Sequence, residues 1–280
     1  MQASPPTFAA HTALLPGRLV LQVEYDGHAF CGWQSQPSGC GVQDHLQAAL
    51  TAIAGEPIVV SAAGRTDAGV HATAQVVHFD SPVERPASAW VRGVNAHLPP
   101  AVAVRWVQPV PADFHARFSA MGRRYRYVLF NHPLRPALLA GKVGWFHVPL
   151  DEVVMQQALA CLIGTHDFSS FRAAECQAKS PVKTLTDAKL VRQGDYLLLD
   201  LRADGFLHHM VRNIVGALVF IGKGAQPASW MAELLAACDR TQAAPMFAPD
   251  GLYLTGVDYS AEWLLPQSGR IMALPAISGA

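Results

Sequence analysis

Apolar and polar residues along this chain follow two rhythms, a period of two and a period near three and a half, and the rhythms alternate from one end to the other. Leu19-Val20-Leu21-Gln22-Val23-Glu24-Tyr25 reads as a strand closed by the turn pair Asp26-Gly27. Val42, Leu46, Ala49, Leu50 and Ile53 recur at helical spacing, and Gly55 stops the run. Strands are predicted over 58–62 and 75–79, a helix over 88–97, and a strand over 102–107.

The second half repeats the theme without obvious sequence identity. Residues 124–130 alternate as a strand. Residues 151–162 read as a helix, with acid in its first turn and Gly164 just past its end. Residues 184–191 and 196–202 pair as a hairpin across Gln193-Gly194-Asp195, helices follow over 206–220 and 229–238, and 252–259 is a last strand. Strands that come in adjacent pairs with helices between the pairs predict an α+β fold, mostly antiparallel sheet in two halves flanked by helices. The Pro-rich stretch at 109–111 marks the boundary, giving an N-terminal half over 17–110 that carries Asp67 and a C-terminal half over 111–265. Residues 1–16 and 266–280, rich in Pro, Ser, Ala and Gly, read as flexible tails.

Composition narrows the function. Half of the 280 residues are hydrophobic, so the chain can bury a sizeable core. Lys plus Arg balances Asp plus Glu at 21 each, which excludes a uniformly cationic nucleic-acid coat. The distribution is less even. Arginine outnumbers lysine 16 to 5, and Arg117, Arg123, Arg124 and Arg126 fall within ten residues that hold no acid. Arginine's planar fork suits phosphate, although a GC-rich genome would also raise the arginine total. The five cysteines are scattered and form no Cys-x-x-Cys pair, so reduced thiols in the cytoplasm are expected. No basic residue precedes an apolar stretch in the first sixteen, so no signal peptide is expected. The most apolar run, 214–222, is far short of the roughly 18 residues of a membrane span.

Phosphate-loop, dinucleotide-binding, serine-hydrolase and zincin signatures are absent. Three features remain. Gly64-Arg65-Thr66-Asp67-Ala68-Gly69-Val70-His71-Ala72 presents one carboxylate on a turn whose glycines permit tight backbone and close ligand approach. Asp-Ala-Gly alone would also suit an ordinary polar turn. Next, Phe114-His115-Ala116-Arg117-Phe118 and Arg123-Arg124-Tyr125-Arg126-Tyr127 interleave basic and aromatic residues. In a strand Tyr125 and Tyr127 share one face and Arg124 and Arg126 the other, which fits either a base-stacking, phosphate-holding surface or a core strand with solvated arginines. Last, Phe206-Leu207-His208-His209-Met210-Val211-Arg212 reads as the start of a helix. An arginine on so apolar a helix needs a partner, and Asp67 is a candidate. His208 and His209 read as ordinary satisfied histidines, because helical neighbours point about 100° apart and share one ion poorly.

These motifs, together with Glu24-Tyr25-Asp26-Gly27 and Gly32-Trp33-Gln34, resemble in order and spacing the tRNA pseudouridine synthase A family, which acts on the anticodon stem-loop. The match spans residues 18 to 259. The resemblance implies a pseudouridine synthase fold. It makes Asp67 the catalytic aspartate, Tyr125 the ring that packs on the target base and Arg212 the basic partner of the aspartate. Arg65 would help extrude the nucleotide, and His71, Arg117, Arg123, Arg124 and Arg126 would contact the substrate. It also implies a homodimer without metal or cofactor, isomerising uridines at tRNA positions 38, 39 and 40.

The chemistry suits the residues. Conversion of uridine to pseudouridine breaks the N1–C1′ bond, turns the base and joins C5 to C1′, with no redox step or group donor. It asks for an ionised carboxylate near the sugar and shielded from water. Whether Asp67 attacks C1′, attacks the ring or removes a sugar proton is open at this level. Two rivals stand beside this reading: a non-catalytic RNA-binding module, and a metal-dependent hydrolase using Asp67, His71, His78 and His208.

Overall fold

The computed structural model describes residues 12–266; most of the two expected tails lies outside them. The chain divides into two compact units. Among the described residues the first comprises 12–66, 72–121 and 255–266, and the second Asp67–His71 and Gly122–Leu254. The main crossing therefore falls at Met121–Gly122, and Asp67 groups with the second unit.

In the first unit a short pair, β1 (Ala13–Leu14) and β5 (Arg85–Pro86), is antiparallel. The main strands are β2 (Gly17–Tyr25), β3 (Ser61–Ala62), β4 (His71–Ser81) and β6 (Val102–Pro109). β2 pairs antiparallel with both β4 and β6, and β3 with β4. α1 (Val42–Ala54) forms where the 3.6-residue spacing predicts it. Asp44 accepts from the Gly41 N–H at its start, and Gly55 ends it in a left-handed turn with φ 81°. Its buried stripe is Val42, Leu46, Ala49, Leu50 and Ala54. The helix expected over 88–97 is a π-helical turn (Ala89–Gly93) running into α2 (Val94–His97). Of the strand expected over 58–62 only Ser61–Ala62 pairs; Ile58 and Val60 instead tie to α1 through the Thr51 hydroxyl and the Gln47 amide.

The second unit holds β7 (Ala120–Asn131), β8 (Gly144–Phe146), α3 (Glu152–Leu159), β9 (Gly164–Asp167), β10 (Val182–Gln193), β11 (Tyr196–Ala203), α4 (Met210–Gly222), α5 (Trp230–Ala237) and the start of β12 (Leu252–Tyr259). β7, β11, β10 and β9 pair in that order, all antiparallel, while β8 lies parallel to β7. Both units thus mix helices with antiparallel strands, the α+β class expected. α4 is buried on nearly every side, its mostly apolar surface interrupted by Arg212 and Asn213, which find polar partners. It packs in a core with Tyr127, Leu129, Leu159, Phe168, Phe171, Leu199 and Leu201. No helix among the described residues is long and apolar enough to cross a membrane.

One expectation is overturned. Cys31 and Cys40 form a disulfide, with Cα atoms 5.4 Å apart, so not all five thiols are reduced. The reason is local. Cys31 N–H donates to Cys40 O, Val42 N–H to Gly32 O and Gln43 N–H to Trp33 O, and these bonds fold the segment between the two cysteines back on itself. The separation falls inside the range a disulfide bridges. Cys161, Cys176 and Cys238 are free.

Candidate active site

The first unit anchors the turn that leads to Asp67. Tyr25 Oη and Thr66 Oγ1 lie 2.8 Å apart, Trp33 N–H donates to Thr66 O, and Gln75 Nε2 donates to Gly64 O at 2.7 Å. Burial pushes the Tyr25 phenol up to about 12, so it stays a neutral hydroxyl in this network. Arg65, next in sequence, is exposed.

In the second unit the turn is closed by Val70 N–H donating to Asp67 O at 3.1 Å. Gly69 has φ 80°, and a Cβ there would stand 2.8 Å from the ring of Pro249. Glycine is required on both counts. His71, expected at the substrate, is buried at 2% exposure, stacked on Tyr253 at 4.5 Å with Nε2 3.0 Å from the Asp250 carbonyl. Its contacts make it a tether for the end of the turn, and so buried a ring cannot touch RNA where it stands.

Asp67 receives three side chains from one segment. Arg212 Nη1 donates to Oδ2 at 3.0 Å, His209 Nε2 lies 3.4 Å from Oδ2, and His208 Nε2 lies 3.2 Å from Oδ1. The expected Asp67–Arg212 pair is present. The helical start expected at Phe206 is not: α4 begins at Met210, and His209 has φ 65°, a left-handed conformation that only Gly, Asn or Asp adopts easily. That turn overrides the helical spacing, so His208 and His209 are not splayed by 100°. Their rings lie 3.8 Å apart and both reach the same carboxylate. The segment is held from behind: Ala173 N–H donates to His208 O, His208 N–H to Cys176 Sγ and Asn213 N–H to His209 O. Burial holds the His209 imidazole below its ordinary range, against the opposing pull of Asp67.

Arg212 is fixed by a second strap that the sequence did not reveal. Its Nε donates to Phe247 O at 3.0 Å, while Phe247 N–H donates to the Arg212 carbonyl at 3.2 Å. The strap lies against α4 because residue 216 is glycine; a Cβ there would collide with the Pro245 carbonyl. Both partners at Phe247 are backbone atoms, so no side-chain signal marked the position. Arg212 and Asp67 keep side-chain exposures of only 10% and 20%. An unpartnered charge at that depth would be costly, so each requires the other.

Tyr125 is half-buried on β7 with its ring edge-on to Phe206 at 5.0 Å. Tyr127, on the same face, is wholly buried and donates to Ala248 O. The arginines divide. Arg126 forms a two-pronged pair with Asp200, at 2.7 and 2.8 Å, directly across the β7–β11 register. Arg123 donates to Asp204 O at 3.0 Å, and Arg124 stands opposite Arg202. Arg117, in the first unit, is exposed, with its guanidinium 5.5 Å above the Phe118 ring. His78, part of the rival metal reading, is buried in the first unit and accepts from Ala116 N–H.

A family model described as tRNA pseudouridine synthase matches residues 21–119 and 158–260, more than half of the chain. The chain is 62% identical over 253 residues to the tRNA pseudouridine synthase A of Thiobacillus denitrificans, covering 90% of this chain and 97% of that one. It is 60% identical over 260 residues to that of Aromatoleum aromaticum, covering 93% and 98%. It is 62% identical over 250 residues to that of Chromobacterium violaceum, covering 89% and 95%. With the carboxylate, its guanidinium partner and the glycine-bounded turn all inside the matched segments, the chain belongs to the tRNA pseudouridine synthase family.

Proposed function

We propose that this protein isomerises uridine to pseudouridine in the anticodon stem-loop of tRNA, at positions 38, 39 and 40, with Asp67 as the reacting carboxylate. The observation that carries the reading is the Asp67–Arg212 pair at 3.0 Å, largely sheltered from solvent and flanked by two imidazoles. A charge-assisted hydrogen bond contributes about 1.5–3 kcal/mol to holding the carboxylate in place. Ionised, Asp67 is competent either to take C1′ or the uracil ring, or to remove a sugar proton.

A stacked base is out of reach, so the target nucleotide is flipped out at a cost of a few kcal/mol. Tyr125 is the ring on which the base packs, and Arg65 is the residue that helps displace the nucleotide. Arg117, Arg123 and Arg124 hold phosphates. Arg126 belongs to the same basic strand, but its tie to Asp200 gives it a structural share of the work. The active form is a homodimer, without metal or cofactor, and it works in the cytoplasm where tRNA is matured.

The test is release of tritium from C5 of uridine in a tRNA transcript, since C5 loses its hydrogen only when the base is rejoined through that carbon. Release by the native chain that survives chelator and vanishes in Asp67→Ala is expected. Intact tRNA binding without release would make the protein an RNA-binding module, and loss of activity on chelation would favour a metal-dependent hydrolase.

A further inference from the structure

The three side chains around the carboxylate also meet the demands of a metal ion. One donor atom each from Asp67, His208 and His209 lies within 4.8 Å of the other two. The two imidazole-to-carboxylate separations are 3.2 Å, from His208 to Oδ1, and 3.4 Å, from His209 to Oδ2. Ligand atoms bound tetrahedrally at 2.0–2.2 Å stand roughly 3.3 Å apart, so side-chain rotations must draw the three donors together from within 4.8 Å.

We propose that Asp67, His208 and His209 form a binding site for a divalent transition ion of the zinc type, and that occupancy blocks the carboxylate needed for isomerisation. Two imidazoles and one carboxylate suit zinc or its transition-metal neighbours and not magnesium or calcium, which take oxygen ligands. The donors are carried on backbone already fixed by the Ala173 and Cys176 contacts. His208 Nε2 faces Oδ1, whereas His209 Nε2 and the Arg212 guanidinium both face Oδ2, so Oδ1 is the carboxylate oxygen offered to the ion. The same guanidinium repels a cation. The ion is therefore an exchangeable inhibitor and not a resident cofactor. Binding stands apart from the isomerase reading, while inhibition rests on it.

The full-length chain is titrated with zinc sulfate against a chromogenic zinc indicator, and cobalt chloride is added in parallel to record visible absorption of a bound ion. His208→Gln, His209→Gln and Asp67→Asn are compared with the native chain, with circular dichroism to show that each is folded. One zinc site per chain is expected, weakened about tenfold or more by each substitution, a loss that even outer-shell partners of metal sites produce. Half-inhibition of C5 tritium release falls at the zinc concentration that half-fills the site. Absence of binding, or binding unchanged in the folded His208→Gln and His209→Gln variants, overturns the proposal. A chain that binds zinc through these histidines but releases no tritium under any condition supports the site and refutes the isomerase instead.

Discussion

Arg212 holds Asp67 with one nitrogen while another is committed to the carbonyl of Phe247, both at 3.0 Å. A lysine cannot reproduce this double attachment, because its ammonium is a single point of charge on a flexible stem. Arg212→Lys is therefore expected to fold but to lose roughly 10- to 150-fold in tritium release, the equivalent of about 1.5–3 kcal/mol for one charge-assisted bond. Thermal melting run beside the assay separates misplacement from unfolding. Native turnover in Arg212→Lys would show that the fork geometry is irrelevant.

Tyr125 presents a half-buried ring braced by Phe206. If the flipped base stacks on it, the ring matters and its hydroxyl is secondary. Tyr125→Phe should stay within a few-fold of native activity, whereas Tyr125→Ala should lose about 1–3 kcal/mol, the worth of one base–aromatic stack. Kinetics on a tRNA transcript decide between them. Equal losses in the two variants would shift the role from the ring to the hydroxyl.

What the sequence made legible here follows from how local each signal was. α1 is written in its own residues, apolar stripe and Gly55 stop, and it appears as predicted. The β10–β11 hairpin is equally local, with Gly194 at φ 57° in its turn. The pairing of Asp67 with Arg212 was legible because an arginine in an apolar helix must be answered by an acid. The turn at His209 was not, because a run of apolar residues with two histidines carries helical spacing whether or not its first residues are wound. Tertiary contacts from Ala173 and Cys176 decide that conformation. The Phe247 strap was invisible for a different reason: main-chain atoms do its bonding. The Cys31–Cys40 bond likewise depends on a backbone fold-back that cysteine spacing alone does not encode.

The Cys31–Cys40 bond closes a short loop, and the chain-entropy account gives such a loop about 2–3 kcal/mol of stability. Since backbone hydrogen bonds already hold the segment, opening the bond should lower stability without removing activity. Cys31→Ser with Cys40→Ser, or the native chain under reductant, should melt several degrees lower yet release tritium at close to the native rate. A double variant that melts like the oxidised native chain would mean the bond adds nothing.

The two kinds of arginine predict two kinds of phenotype. A phosphate contact contributes roughly one log unit of affinity per log unit of salt. Arg117→Ala should weaken tRNA binding across sequences and flatten the salt slope by about one, with melting unchanged. Arg126→Ala should do the reverse, because it strands Asp200 across the β7–β11 pair. Fluorescence titrations from low to high salt, paired with urea unfolding, read both. A flattened slope in Arg126→Ala with native stability would assign that guanidinium to RNA after all.

His78 gives the fold a pH limit that the reaction does not require. Its ring is buried, Nδ1 accepts from Ala116 N–H at 3.1 Å, and burial with help from His115 and Arg18 lowers its pKa to about 4, against the pull of Asp80. Above the ordinary pKa of 6.5 the ring is neutral in folded and unfolded chains alike, and its contribution is complete. As the pH falls from 6.5 towards 4 the unfolded chain takes up a proton that the folded chain refuses, so stability drops by at most about 1.4 kcal/mol per pH unit. Below about 4 the native ring also protonates, and its bond from Ala116 is lost. His78→Asn keeps an acceptor for that N–H but cannot titrate. Urea midpoints measured from about pH 7.5 to about pH 4.5 should therefore fall less steeply in His78→Asn than in the native chain, while the shared carboxylate contribution cancels between them. Superimposable pH profiles would show that this imidazole is protonated alike in both states and that its burial carries no such penalty.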